Sequence, residues 1–442
     1  MTGHKRSADC AAMPYAARPM EDDEVKRFVA ALDAHVMGPR LSVALSTSHR
    51  PCHVLDAKYE PGIRASILYR LGADLVRADL LGPDCPPSIG RVTSWPRMEL
   101  SVYPHDPELP TLPLAVTASV IGPRIAELSP TLTPIQRRAL SRRCRVTLLR
   151  YRLGKRATVR LATPVSEASY VAKVYHDPAK AAAVAHEAQA LARTAARDAG
   201  FRYAPSVGHL SELSVVVQQS IHGQPLDSLL RASGLNGAAA AEAVRLAASA
   251  LAQLHREPIV STRMRPVEKE LHRFRARAWR ISAIEPHLGD QLLNLAERLL
   301  ETFSAFSVSR PGVVHGDCKP GQFLLTNDGT VSLLDFDHCG ISDQAGDAGT
   351  FVASLRQLAV QLIMAGASPA LTAGVDALAD EFLSTYSEAM EDDLSTRIRW
   401  HEAVALQRKA IRSFARSPKS PLPTALVEES HRCLDRVTRE LS

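Results

Sequence analysis

The sequence predicts an α+β chain, a β-rich first half followed by a helical second half. Three observations lead there. Val54–Ile67 and Val146–Val159 each read as strand, Gly turn, strand. Beyond residue 223, apolar residues recur at helical spacing over long segments. Within that helical part, Val313–Leu325 and Leu333–Asp337 read as two short buried strands carrying acidic and amide side chains at their ends, Asp317, Gln322 and Asp335.

The elements follow in order. Residues 1–20 are expected to be disordered, and 21–38 to form one amphipathic helix with Val25, Phe28, Val29, Leu32 and Val36 on one face. In the β-rich region Tyr59, Gly62, Arg64 and Ala65 recur in register as Tyr151, Gly154, Arg156 and Ala157. Downstream, Ser101–Pro107 echoes Lys173–Pro178. Either the unit is duplicated or two hairpins happen to be alike. On the duplication reading Ser101 holds the place of Lys173. Ser169–Tyr175 is an apolar strand interrupted by Lys173, a charge that is costly there unless paired. An Ala-rich helix with Glu187 is expected over 179–197, and Ser214–Gly223 runs as a buried strand into a turn. Helices are expected at 237–256, 266–280, 287–307, 347–365, 368–389 and 393–415, with a last one near 424–441 after the Pro-rich loop 417–423.

Composition narrows the function classes. At 442 residues, two or three domains are expected. The net charge of +6 is basic, but no dense Lys/Arg run interleaves with aromatics, which make up only 5%, so no nucleic-acid partner is expected. The seven cysteines form no C-x-x-C pair and no Cys/His cluster, which favours reduced thiols. Met1–Pro19 has no signal-peptide core, and the Ala-rich stretch 238–254 is interrupted by Glu242 and Arg245. A soluble, cytoplasmic protein without a membrane partner is the expectation.

The chemistry lies in His315-Gly316-Asp317-Cys318-Lys319-Pro320-Gly321-Gln322, then a turn at Asn327–Thr330, then Asp335-Phe336-Asp337. Phosphoryl transfer needs one carboxylate to accept a hydroxyl proton, and an amide plus a second carboxylate to hold Mg²⁺ on nucleotide phosphates. The kinase pattern H-R-D-x-x-x-x-N followed by D-F-G has this spacing. The H-G-D form resembles the aminoglycoside phosphotransferase superfamily. That resemblance implies a protein kinase-like two-lobe fold, with an added N-terminal N-lobe-like cap. The expected division is a cap at 21–135, a kinase-like N-lobe at 140–222 and a helical C-lobe at 223–442. It implies ATP or GTP with Mg²⁺ as cofactors. Asp317 is then the base, and Lys319 neutralises the transferring group. Gln322, in place of the usual Asn, and Asp335 are the metal ligands. Lys173 and Glu187 match the V-A-I-K lysine and its helix glutamate, and the hinge Gln219, Ser220 and Ile221 meets the purine. Asp337 replaces the Gly of D-F-G and is either a further ligand or a turn acid. Asp347 braces the catalytic loop from a helix start. Lys155 and Arg156 read as exposed hairpin charges or phosphate contacts.

Only about ten residues separate Asp337 from Asp347, which leaves no long activation segment and favours a small-molecule alcohol as acceptor. The basic balance argues against a polycationic aminoglycoside. A sugar, an amino sugar, a sugar-like natural product or a maltokinase-like role fits. Acceptor contacts are expected from helices within 266–307 and 375–415. There Trp279, Trp400 and His401 are either ring platforms or core. A precursor peptide in ribosomal natural-product maturation, and a non-catalytic nucleotide-binding module, remain as alternatives. The intact Lys173, Asp317 and Asp335 argue against the latter.

Overall fold

The computed structural model describes residues 22–60, 63–82, 91–92, 98–194, 201–233, 235, 237–258, 261, 263–282, 284–306 and 311–441. The segment 1–20, expected to be disordered, lies outside them. The chain begins with α1 (Asp22–Ala31) and α2 (Ala34–Ala44), where the sequence predicts one helix. Asp33 makes the break: its carboxylate accepts the N–H groups of His35 (2.9 Å) and Val36 (3.4 Å) and caps α2. Strands β1 (Cys52–Glu60), β2 (Arg64–Leu71), β3 (Asp74–Leu81), β4 (Arg91–Val92) and β5 (Met98–Val102) form an antiparallel sheet in the order β1-β2-β3-β5-β4. Phe28, Met37 and Leu41 of the helices pack on Ile67, Tyr69 and Val76, giving this region its own core.

Next come α3 (Leu112–Ala115), α4 (Ala118–Leu128), α5 (Pro134–Arg143), β6 (Arg145–Arg152), β7 (Arg156–Thr163), β8 (Ser166–Tyr175), α6 (Pro178–Thr194), β9 (Phe201–Tyr203), β10 (Ser206–Leu210) and β11 (Val215–Gln219). The second sheet runs β10-β11-β8-β7-β6. Leu112, Ile121, Ile125 and Leu140 pack against its Val159, Leu161, Ala172 and Val217. Residues 109–144 therefore share a core with the second sheet, and the packing breaks nearer residues 103–108 than the expected 135.

The two sheets have the same strand order, with α6 and β9 inserted in the second between its third strand and its outer pair. Their first hairpins share register: Tyr59 faces Ala65 and Glu60 faces Arg64, as Tyr151 faces Ala157 and Arg152 faces Arg156. The lysine position differs from the sequence expectation. Lys173 faces Thr158. The matching residue of β2, Ser66, faces Asp79, whereas Ser101 lies one strand further on, opposite Arg77. The local echo misled because it matched β5 to β8 instead of β3 to β8.

A buried ion cluster joins the two sheets. Arg77, 2% exposed, reaches Asp79 (2.8 Å), Asp106 (2.5 Å) and Glu108 (3.0 Å). Asp106 also accepts from Tyr151 Oη (2.5 Å) and from the backbone N–H of Gly154 (3.2 Å). Gly154 has φ +57°, and a Cβ there would strike the Glu108 carboxylate at 1.5 Å.

The remainder is β12 (Gln224–Pro225), α7 (Leu226–Ala232), α8 (Ala238–Arg256), α9 (Val267–Ser282), α10 (Pro286–Phe303), β13 (Gly312–Val314), β14 (Phe323–Leu325), β15 (Val331–Leu333), β16 (Gly340–Ser342), α11 (Ala345–Met364), α12 (Pro369–Met390), α13 (Ser395–Arg416) and α14 (Leu422–Leu441). A small sheet, β12-β14-β15-β9, and the pair β13-β16 lie among the helices. α8, α11 and α12 share one core, including stacked Phe351 and Phe382 (3.9 Å). α9, α10, α13 and α14 share another, where Trp400 is fully buried against Phe303 (5.1 Å). Trp400 is thus core, while Trp279 is exposed. Among the described residues no helix is long and apolar enough to cross a membrane.

Replacing Arg77 with Met leaves Asp79 and Asp106 buried without their cation. The expected cost is about 3–5 kcal/mol of stability, read by urea unfolding; a cost near zero would show that the cluster does not hold the sheets together.

Candidate active site

The site forms where β13 and β15 end and β14 begins, beneath the second sheet. Gly316 allows the turn after β13: its φ is +78°, and a Cβ would meet the His338 carbonyl at 2.2 Å. Asp347, at the start of α11, accepts the backbone N–H groups of His315 (2.5 Å) and Gly316 (2.8 Å). His255 Nε2 lies 3.2 Å from the same carboxylate, and Tyr386 Oη 2.7 Å from His255 Nδ1. Burial opposes the Asp347 charge, but His255, His315 and the Gly316 amide hold its pKa below the ordinary carboxylate range. His315 is fully buried. Its Nε2 meets Leu334 O at 2.6 Å and its Nδ1 lies 3.3 Å from the Asp317 amide. The carbonyl can only accept, so the ring carries a proton on Nε2. His315 ties the loop that carries Asp317 to the strand before Asp335.

Asp317 is buried but lines an open cavity of about 280 Å³. Lys319 Nζ bonds it at 2.6 Å. Against the upward pull of burial, Lys319 first, then Arg412 and His338, hold the Asp317 carboxyl at about 2, so it is ionised at neutral pH.

Asp335 stands in the left-handed region (φ 63°, ψ 53°). It accepts from Lys173 Nζ (2.7 Å) and from both terminal nitrogens of Arg156 (3.0 and 3.2 Å). Lys173 also bonds Asp337 (2.8 Å), against which Arg156 lies as well. The two cations outweigh burial and hold Asp335 well below the usual carboxylate range, while burial presses Lys173 below its own. Gln322 Nε2 faces Asp335 Oδ2 at 3.5 Å, an orientation that a half-turn of the amide exchanges for its oxygen.

Lys173, Gln322 and Asp335 are therefore brought together, with Asp317 and Lys319 beside them. Glu187 is not paired with Lys173. It is 3% exposed and accepts from Ser261 (2.9 Å), and its other oxygen is buried without a hydrogen-bond partner among the described residues. Along the hinge, the amides of Gln219 and Ser220 are taken by Pro205 O (2.9 Å) and Ser169 O (2.8 Å). Ile221 follows, half-buried. Sequence reasoning undervalued Arg156. It is 7% exposed and makes the forked pair with Asp335 across the cleft. Its recurrence as Arg64 was the available signal. His401 bonds Asp343 (2.9 Å), bracing the loop before α11. Cys318 and Cys339 are buried thiols with pKa values pushed up by burial, Cys339 to about 12, which makes them poor nucleophiles.

A model of the phosphotransferase enzyme family matches residues 147–389, more than half of the chain. Among solved structures, a choline kinase from Cryptosporidium parvum superposes with a TM-score of 0.52 at 9% identity, covering 73% of this chain and 97% of its own. A glucosamine kinase in complex with glucosamine, ADP and phosphate gives 0.46 at 16% identity, covering 93% and 98%. The ADP-bound aminoglycoside phosphotransferase APH(2'')-Ib gives 0.43 at 12%, covering 65% and 91%. No curated protein sequence matches. The choline kinase comparison shows the shared kinase-like fold, a sheet lobe above a helical one.

Changing Asp347 to Asn removes the charge that receives two loop amides and faces His255. We expect about 3 kcal/mol lost at neutral pH, measured by urea unfolding. The Asp347 pKa is depressed on folding, so its contribution is full above the unfolded value of about 4 and fades as pH falls below it. The gap between wild type and variant should narrow there, and a gap that widened in acid would refute the assignment.

Proposed function

The chain belongs to the phosphotransferase enzyme family, and on that premise we propose that it transfers the terminal phosphoryl group of Mg²⁺-bound ATP or GTP to a hydroxyl of a small molecule. The observation that carries this reading is the meeting of Asp335 with Lys173 and Gln322 on the cleft into which Asp317 opens. Among the described residues no three of His, Cys, Asp or Glu converge as an all-protein metal cage. Two carboxylates, Asp335 and Asp337, with the Gln322 amide suit a Mg²⁺ that keeps water and phosphate oxygens as its other ligands. Bound there, Mg²⁺ would offset charge on the transferring group.

The chain's own groups do the rest. Asp317, ionised at neutral pH, accepts the acceptor's hydroxyl proton. Lys319 leaves Asp317 for the transferring phosphoryl oxygens. Lys173 and Arg156 turn from Asp335 to the phosphates, and Glu187, with one buried oxygen unpartnered, receives Lys173 from behind. With the Gln219 and Ser220 amides engaged, the purine takes its backbone contact at Ile221. The span from Asp337 to Asp347 is filled by a short 3₁₀ turn, β16 and the start of α11, so it offers no platform for an extended peptide. The 52–102 sheet, with Asp79 where Lys173 would stand, acts as a cap without nucleotide chemistry of its own.

Asp317→Asn should lower kcat by about 10²–10⁴-fold with nucleotide affinity near wild type. Asp335→Asn should remove the Mg²⁺ dependence of nucleotide binding, read by calorimetry. Surviving turnover in the first variant would sink the base assignment, and unchanged Mg·nucleotide affinity in the second would sink the metal assignment.

A further inference from the structure

The cavity in front of Asp317 carries an imbalance of charge. Nine cationic side chains line it, against two carboxylates, Asp317 and Glu270. The cations from the sheet side, including Arg156, belong with the nucleotide phosphates. Of the others, Arg265 donates to the His338 carbonyl, and four come from two C-lobe helices: Arg273 and Arg277 are one turn apart on α9, and Arg408 and Arg412 one turn apart on α13. Like charges at this spacing oppose one another on a helix. Glu270 does not restore the balance. Both its oxygens are taken by Arg408 (2.6 and 3.1 Å), which fastens α9 to α13. Among the described residues, Arg273, Arg277 and Arg412 form no close ion pair with a carboxylate.

The field is felt throughout the cleft. Desolvation by the cleft walls and then the Arg408 charge lower Arg412 to about 10, while Asp317 pulls it back up. Burial, then Arg408, Lys319 and Arg412, bring Lys409 down to about 7. A group that reaches Asp317 from the α9–α13 side meets forked guanidinium donors and no free acid.

We propose, building on the function proposed above, that the acceptor is an anion: a hydroxylated small molecule bearing a phosphate or carboxylate that Arg277 and Arg412 grip, with Arg273 beside them. Planar guanidinium groups bind both anions in forked pairs. The grip leaves the acceptor hydroxyl at Asp317. In the transfer, the hydroxyl oxygen bonds to the γ-phosphorus, its proton passes to Asp317, and the bond from the γ-phosphorus to the β-bridging oxygen breaks. The products are the phosphorylated acceptor and the nucleoside diphosphate. A cationic acceptor would be repelled by the same wall.

The test is equilibrium binding to the full chain saturated with the Mg²⁺ complex of a non-hydrolysable ATP or GTP analogue, so that the nucleotide's own phosphate sites are filled. Glucose 1-phosphate and glucuronate are compared with glucose and glucosamine, the first two separating phosphate from carboxylate recognition. At least one anion should bind about tenfold or more tightly than glucose, and glucosamine more weakly than glucose. Arg277→Gln and Arg412→Gln should each erase most of that preference, with Arg412→Lys retaining part of it. Inorganic sulfate should compete with the bound anion. Glucose or glucosamine binding as well as either anion, or no anion binding at all, overturns the proposal. Failure of the Mg·nucleotide analogue itself to bind would instead overturn the function on which it rests.

Discussion

The site depends on a four-membered charge set across the cleft, Arg156 and Lys173 above, Asp335 and Asp337 below. Arg156 and Lys173 come from neighbouring strands of the second sheet, and the two acids from the end of β15 and the turn after it. Buried and largely shielded from water, none of the four is tolerable alone. Together they fix how the sheet lobe sits over the helical lobe. They also fix the backbone of Asp335, which occupies a region that non-glycine residues seldom adopt. The contact that aligns the lobes is made by the groups that the proposed function assigns to phosphates and metal, so on that function nucleotide entry and lobe geometry are one equilibrium.

Beneath that set, the loop that carries Asp317 is held by a second buried network. Asp347 receives two loop amides, His255 and Tyr386 back it, and His315 carries the connection to Leu334. Each donor has an acceptor, which is the condition under which a buried polar network stiffens a structure instead of weakening it. Asp317 can therefore be presented by a short loop between two three-residue strands.

What was legible in the sequence is what local pattern controls. Long helices follow from apolar periodicity, and α8 through α14 lie close to where that periodicity puts them. The acidic ends of β13–β15 follow from spacing. Harder were features that depend on a distant partner. β9 is three residues long and pairs in parallel with β15, across 130 residues of chain; no local signal marks it. The likeness between the two sheets was visible in Tyr59 and Tyr151. Which strand matched β8 was not, because strand order depends on pairing and not on sequence distance. Arg156 read as a hairpin charge because its acid partners lie nearly 180 positions later. The cationic wall on α9 and α13 was invisible except as net charge, since Arg277 and Arg412 meet only in the folded cleft.

The contact from Asp106 to the Gly154 turn changes what the β6–β7 hairpin can do. A glycine-rich flap over phosphates pays entropy each time it closes, and it opens cheaply to release product. Here the hairpin is splinted from outside: Asp106 accepts from Tyr151 and the Gly154 amide, Glu108 fills the space where a side chain would sit, and His176 donates its amide to Lys155 O and its Nδ1 to Glu108 O. The hairpin's shape is set in advance by the chain between β5 and α3. On the function proposed, tightness of the nucleotide clamp and the dwell time of spent nucleotide depend on that distant segment, and heat or denaturant that loosens it should loosen the clamp.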